Sequence, residues 1–192
     1  MSLKTEAKNL SSSIEDFSCK NKATAINVST DEKIYVDRLY YDNGTVSVET
    51  PFLAPRLKNT SCENKKVFFQ CELDDIEHGV VKYFFPCGTI AATKSFKRGV
   101  YHGEHKIWYN QNLVKHLCNY KDGIYHGEEK AYFQNGNPEY FCNWEDGELN
   151  GNYFEWNSQK RLIVQMGHKK GVLHGAYRRW DDKGKLIVEI FY

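Results

Sequence analysis

Glycine returns every 24 residues through the second part of this chain, at Gly79, Gly103, Gly127, Gly151 and Gly175. Take each of these as position zero. Position +5 then reads Phe84, Trp108, Tyr132, Trp156 and Trp180. Position +17 reads Phe96, Tyr120, Trp144, His168 and Tyr192, and position +20 reads Gly99, Gly123, Gly147 and Gly171. Three columns in step at one period are the signature of a repeat architecture. Each unit is then a small supersecondary element that cannot bury a face alone, and stability comes from stacking on neighbours.

The unit has two halves. Positions +1 to +6 carry aromatic and apolar residues and read as one strand. A turn follows, as in Gln134-Asn135-Gly136 and Asp182-Lys183-Gly184. Positions +11 to +17 alternate as a half-buried strand does: Val114, Cys118, Tyr120; Tyr140, Cys142, Trp144; Leu162, Val164, Met166; Leu186, Val188, Ile190. The glycine at +20 marks a second turn, and the glycine at zero is expected to turn the chain into the next hairpin, with Trp108 stacking between repeats. Upstream, Asn43-Gly44 separates two strand-like runs, the strongest short hairpin signal, and predicts a type I′ turn. Lys66–Leu73 reads as a further strand, and a shortened copy is expected around residues 57–78. The chain is therefore expected to be all-β, an elongated antiparallel hairpin-repeat sheet of about seven copies. It divides into a polar, loosely ordered arm (1–32), degenerate repeats (33–78) and regular repeats (79–192). In the arm, Ser12 with Glu15 has the spacing of a capping box for one short helix, and the arm is a candidate cover for an open sheet edge.

Charge and composition narrow the function classes. Net charge is +1, which favours no nucleic-acid partner. The six cysteines (Cys19, Cys62, Cys71, Cys87, Cys118, Cys142) contain no C-x-x-C pair, so zinc-site spacing is absent. No apolar run approaches the roughly 18 residues of a membrane span. The first residues carry no signal-peptide core, making the cytoplasm the default location; secreted or periplasmic residence follows if a signal peptide preceded them.

The histidines His78, His102, His126 and His174 form a column that invites a metal reading. Equivalent positions in adjacent repeats lie roughly 10 Å apart, whereas zinc holds its ligands at about 2.0–2.3 Å. The expectation is turn histidines bonded to backbone, and no metal. Cys118 and Cys142 share a column and are too far apart for a disulfide by the same spacing; they read as small core hydrophobes. Glu128, Glu129, Glu145, Asp146 and Glu148 sit at turns and strand starts and read as solvated charge rather than an acid pair. No phosphate-binding loop and no nucleophile elbow is present. The expectation is no catalytic residue and no cofactor.

The phrase Tyr120-Lys121-Asp122-Gly123-Ile124-Tyr125-His126-Gly127, followed by Tyr132-Phe133-Gln134-Asn135-Gly136, resembles the MORN (membrane occupation and recognition nexus) repeat, in its bacterial variant form. The resemblance extends over residues 79–192 and, more loosely, over 34–78. It departs at Asn150 in place of histidine, at Asn112 in place of the turn glycine, and at Ser158-Gln159-Lys160. It implies a β-hairpin sheet that works by binding, with a protein partner first. Some variant-MORN proteins are antitoxin components, which makes a toxin-neutralising or immunity role an alternative. Two groups of residues are the binding candidates: the aromatic column Trp108, Tyr132, Trp156 and Trp180, and a basic cluster of Lys160, Arg161, His168, Lys169, Lys170, Arg178 and Arg179. The cluster makes contact with an anionic membrane surface a second alternative.

Overall fold

A computed structural model describes residues 24–26, 34–53 and 76–192. The expected strand at Lys66–Leu73 and the short helix near Ser12 lie outside the described residues. The described chain is all-β and forms one antiparallel sheet. Its strands are β1 (Thr24–Ile26), β2 (Ile34–Tyr40), β3 (Val46–Leu53), β4 (Ile76–Glu77), β5 (Gly79–Phe84), β6 (Ile90–Lys97), β7 (Val100–Asn110), β8 (Leu113–Lys121), β9 (Ile124–Tyr125), β10 (Gly127–Tyr132), β11 (Pro138–Glu145), β12 (Glu148–Leu149), β13 (Gly151–Trp156), β14 (Leu162–Lys169), β15 (Val172–Trp180) and β16 (Leu186–Phe191). Spatial order follows chain order, with the two-residue strands β4, β9 and β12 as short extensions beside β3, β8 and β11.

Three features at the N-terminal end bear on the sequence expectations. Thr24–Ile26, within the polar arm, pairs with Ile34–Val36 and so lies along the edge of β2. β3 is hydrogen-bonded directly to β5 through Val48↔Tyr83 and Glu49↔Lys82, so no other strand stands between them. The shortened copy expected around residues 57–78 lies mostly outside the described residues, and its described end, Ile76–Glu77, pairs with β3.

The turns differ from expectation in type and place. At Asn43-Gly44 only the glycine has positive φ, at 83°. Gly44 N donates to Tyr41 O and Tyr41 N to Thr45 O, a turn closed by one left-handed residue. That turn recurs around Gly88, Gly136 and Gly184 with the same backbone bonds. The type I′ geometry predicted for Asn43-Gly44 occurs instead at Arg98-Gly99, Asp122-Gly123, Asp146-Gly147 and Lys170-Gly171, where both residues have positive φ. At Asn43-Gly44 the asparagine side chain also caps the three-residue loop: Asn43 Oδ1 accepts from Thr45 N at 2.9 Å.

Each hairpin also carries a bulge beside the +5 aromatic residue. Ile107 faces His116 while Trp108 faces Val114, leaving Lys115 over. Glu139, Ile163 and Ile187 are left over in the same way in later repeats. The alternation of the second strand therefore holds from +13 to +17 and breaks before it. Val114, Leu162 and Leu186 lie opposite the aromatic column rather than in line with Cys118, Val164 and Val188.

The zero glycine does not turn the chain. β7 runs unbroken through His102-Gly103, and Gly103, with φ 96°, sits in a bulge between Tyr101↔Phe96 and His105↔Lys94. A Cβ on Gly103 would stand 3.3 Å from Ser95 Cβ, so position and conformation both favour glycine. Reversal between repeats falls wholly to the +20 glycine. Its N–H reaches back to the first strand of its own repeat: Gly123 N donates to Tyr101 O at 2.8 Å and Gly147 N to Tyr125 O at 2.9 Å.

From β5 onward the buried residues Val81, His105, Cys118, Glu129, Ala131 and Cys142 share one face of the sheet, here the packed face. The other is the open face.

Candidate interaction surface

On the open face, strand alternation sets position +3 beside position +5. Position +3 reads Lys82, Lys106, Lys130, Phe154 and Arg178. Cations thus stand beside the aromatic column in four repeats of five. Lys106 Nζ lies 5.3 Å from the Trp108 ring centre, Lys130 Nζ 5.5 Å from that of Phe141, and the Arg178 guanidinium 6.0 Å from that of Phe191. These are cation–π distances. Most of the cations also have a carboxylate: Lys130 is 2.7 Å from Glu128, Arg178 2.7 Å from Glu189, and Glu49 serves both Arg38 and Lys82. A shallow groove of about 330 Å³ opens between two repeats, lined chiefly by Lys130, Tyr132, Pro138, Phe141 and Trp156.

The aromatic column does not stack on itself. Trp156 meets Phe154 at 5.8 Å, and among the described residues no ring contact joins Trp108, Tyr132, Trp156 and Trp180 to one another. The expected stacking of Trp108 between repeats is thus replaced by separated, half-buried rungs. The physical reason is the spacing: rungs two strands apart stand roughly 9.6 Å from each other, beyond the 4.5–7 Å of a ring pair.

Stacking runs instead along the packed face, through position +17 and the residue two before the zero glycine. Phe96–Tyr101, Tyr101–Tyr120, Tyr120–Tyr125 and Tyr125–Trp144 have centroid separations of 4.8, 5.2, 4.5 and 5.0 Å. Those residues alternate between facing strands, so each step is one strand wide. His105 inserts beside this ladder at 4.5 Å from both Tyr101 and Tyr120, and its Nε2 donates to Ser95 O at 3.1 Å. Burial holds its pKa below the ordinary histidine value.

Beside the ladder lies a buried carboxylate. Glu129 is 8% exposed, which corrects its reading as solvated charge. Its Oε1 accepts from His116 Nε2 at 2.8 Å and from Tyr140 Oη at 3.0 Å; its Oε2 accepts from Trp144 Nε1 at 2.6 Å and from Cys142 Sγ at 3.5 Å. Burial alone would raise its pKa, but the bonds from His116, Trp144 and Tyr140 outweigh that and hold it below the usual carboxylate value. Cys118 and Cys142 are 3% and 2% exposed, in keeping with small core residues. Burial pushes the Cys118 thiol up to about 12.

The basic cluster does not form one patch. Lys169 and Lys170 stand exposed at a type I′ turn, while Lys160 and Arg161 occupy the turn at the other end of β14. Arg178 pairs with Glu189 on the open face, and its neighbour Arg179 lies opposite Val164 and Val188 on the packed face. His168 is half-buried on β14, with its pKa lowered by burial.

The family model described as MORN repeat variant matches residues 125–146 and 173–192. Those two stretches are similar to the MORN repeat variant. Searches of the curated proteins and of the solved structures found no match. MORN repeats are generally modules of protein or membrane interaction, and MORN-repeat proteins are typically non-enzymatic.

Two histidines of the column, His78 and His102, have a defined mechanical role, whereas His126 Nδ1 is buried without a hydrogen-bond partner. His78 Nδ1 accepts from Arg98 N at 3.2 Å and His102 Nδ1 from Asp122 N at 3.4 Å, each gripping the left-handed residue of the type I′ turn that follows twenty residues on. Asn150, standing where the MORN pattern has histidine, does the same: its Oδ1 accepts from Lys170 N at 3.3 Å. An amide oxygen replaces the imidazole nitrogen because the turn needs only an acceptor. Among the described residues no group of three or more His, Cys, Asp or Glu is placed to hold a metal ion. Glu129 was the residue that sequence reasoning missed. The signal lay in strand parity, since Glu129 is two residues from Ala131 and shares its face, directly opposite Cys142.

Proposed function

We propose that this chain is a non-enzymatic protein-interaction module whose binding surface is the open face of the MORN sheet, centred on Trp108, Tyr132, Trp156 and Trp180. The observation that supports this reading is the row itself. Four large, rigid, amphipathic rings stand at one position of successive repeats, separated from each other and only half covered. Aromatic residues with a free polar edge are enriched among the residues that dominate binding energy. The packed face has its rings already committed to one another and its polar groups to Glu129. Affinity capture with the wild-type chain and with a Trp108→Ala/Trp156→Ala variant, both checked for folding by circular dichroism, tests the reading. Partners that bind this surface are lost from the folded variant. An unchanged set of captured proteins would show that the open face is not the binding surface.

A further inference from the structure

The open-face column has three properties that together select a class of ligand. The first is its period. Successive rungs are two strands apart, roughly 9.6 Å. A polyproline II helix repeats every three residues at about 3.1 Å each, or roughly 9.3 Å. Across the three intervals from Trp108 to Trp180 the mismatch accumulates to about 1 Å on the same spacings. An extended β-ligand presents like side chains every two residues, roughly 6.8 Å, and two turns of α-helix span about 10.8 Å. Neither keeps step with the rungs.

The second property is unspent donors. Among the described residues, the indole N–H groups of Trp108, Trp156 and Trp180 and the hydroxyl of Tyr132 have no protein hydrogen-bond partner, and none of these atoms is buried. Trp144, on the packed face, spends its N–H on Glu129. A polyproline II backbone makes no internal hydrogen bonds, so all its carbonyls are free to accept. The third property is shape. The groove of about 330 Å³ between Tyr132 and Trp156 has Phe141 and Pro138 in its wall and Lys130 at its margin. An apolar slot flanked by aromatic donors suits a pyrrolidine ring with a carbonyl beside it.

We infer that the open face binds a proline-rich protein segment in the polyproline II conformation. The segment runs across the strands, with a proline at every third residue seated between successive members of the row Trp108, Tyr132, Trp156 and Trp180. This rests on the reading of the open face as a protein-interaction surface and adds the class of partner.

The test is titration of the full chain with a ten-residue proline peptide, followed by tryptophan fluorescence and by calorimetry, against a Gly-Ser peptide of equal length. Saturable binding of the proline peptide, with none of the Gly-Ser peptide, is expected. Trp156→Phe retains an aromatic ring but removes the donor, and weakens binding roughly 5-fold. Trp156→Ala weakens it on the order of 30-fold. Circular dichroism and the unfolding midpoint establish that each variant is folded, and Trp156→Phe keeps the test decisive if the alanine variant is not. No saturation at millimolar peptide, equal binding of the Gly-Ser peptide, or indifference to both substitutions at Trp156 would overturn the inference. If partner capture still depends on Trp108 and Trp156 while the proline peptide fails to bind, the assigned partner class is wrong and the interaction surface stands. If capture is also indifferent, both fall.

Discussion

The repeats at Gly103 and Gly127 and the last hairpin, β15–β16, are built to one pattern and end in opposite conditions. Position +15 is Cys118 and Cys142 in the central repeats, 3% and 2% exposed. The same position in the last hairpin is Ile190, 44% exposed. Isoleucine is the more apolar residue, so burial here is not set by side-chain hydrophobicity. It is set by having a paired strand on both sides, and among the described residues β16 has one only on the β15 side. The central repeats convert this enclosure into a polar core around Glu129 and a continuous ring ladder. The last hairpin leaves Leu186, Ile187, Phe191 and Tyr192 exposed at 42, 52, 69 and 57%. Stability in a stacked array is approximately a sum of nearest-neighbour terms, and the same residue type counts for more where there are two neighbours.

The largest break in that contrast comes from Glu129→Ala. It removes the acceptor for His116, Tyr140 and Trp144 together and leaves their donors half-buried without a partner. The expected loss is about 3 kcal/mol in urea unfolding followed by tryptophan fluorescence. Glu189→Ala, which releases Arg178 from an exposed pair, is expected to cost less than about 1 kcal/mol. Equal effects would mean that the central network contributes no more than a surface ion pair.

Glycine substitutions sharpen the contrast at smaller scale. Gly123→Ala forces an L-residue to φ 88° and sets its Cβ 3.1 Å from Val100 Cγ1, at the place where one type I′ turn packs on another. A cost of about 2 kcal/mol is expected. Gly175→Ala meets nothing within 4 Å, at φ 80°, so only the backbone cost of about 1 kcal/mol remains. Comparable costs at both sites would show that the turns do not bear on each other.

The dependence on pH follows from the same enclosure. Burial lowers the folded-state pKa of His105 below the 6.5 of an unfolded chain. Between those two values the unfolded state binds the proton and the folded state does not, so stability falls as pH drops below about 6.5. Glu129, depressed from 4.5, adds its own loss only as pH falls below that value. His105→Gln keeps a donor for Ser95 O and cannot titrate, and is expected to flatten the slope between pH 7.5 and 5.5. An unaltered slope would move the effect to other groups, His168 first.

Much of the architecture was legible because a hairpin repeat writes its geometry into columns. The +20 glycine, the aromatic +5 and +17 positions and the alternation from +13 to +17 all carried through to the sheet. What was not legible turns on backbone details that the columns do not distinguish. A glycine with φ near 96° in a bulge, as Gly103, leaves the same mark as one in a turn, as Gly123 with φ 88°. The leftover residue beside each +5 ring, such as Lys115 or Glu139, keeps the period at 24 and so leaves the repeat undisturbed. Glu129 hid for a chemical reason. A carboxylate near a strand start is usually solvated, and its four donors lie on two other strands: His116 on β8, and Tyr140, Cys142 and Trp144 on β11.

The smallest effect concerns the turn at Asn157–Arg161, where the pattern's glycine is missing. Lys160 takes its place, at φ 63°, with the same backbone bonds as its glycine counterparts: Lys160 N donates to Asn157 O and Asn157 N to Arg161 O, both at 2.9 Å. The turn is held further by Asn157 Oδ1, which accepts from Gln159 N and Arg161 N, and Ser158 O accepts from Asn135 and Asn137 of the preceding turn. Lysine in this conformation costs roughly 1 kcal/mol relative to glycine, while glycine adds freedom to the unfolded chain. The net expectation for Lys160→Gly is a gain of about 0.5 kcal/mol in unfolding free energy. That gain separates two accounts of the C-terminal repeats. If the exposure there comes only from β16 being paired on one side, relief of strain in the turn before β14 adds its half kilocalorie to global unfolding and leaves the exchange rates of β16 amides unchanged. If the substitution instead slows exchange along β15 and β16, the strained turn is what loosens the end of the sheet, and the contrast with the central repeats lies in local backbone strain rather than in the count of neighbours.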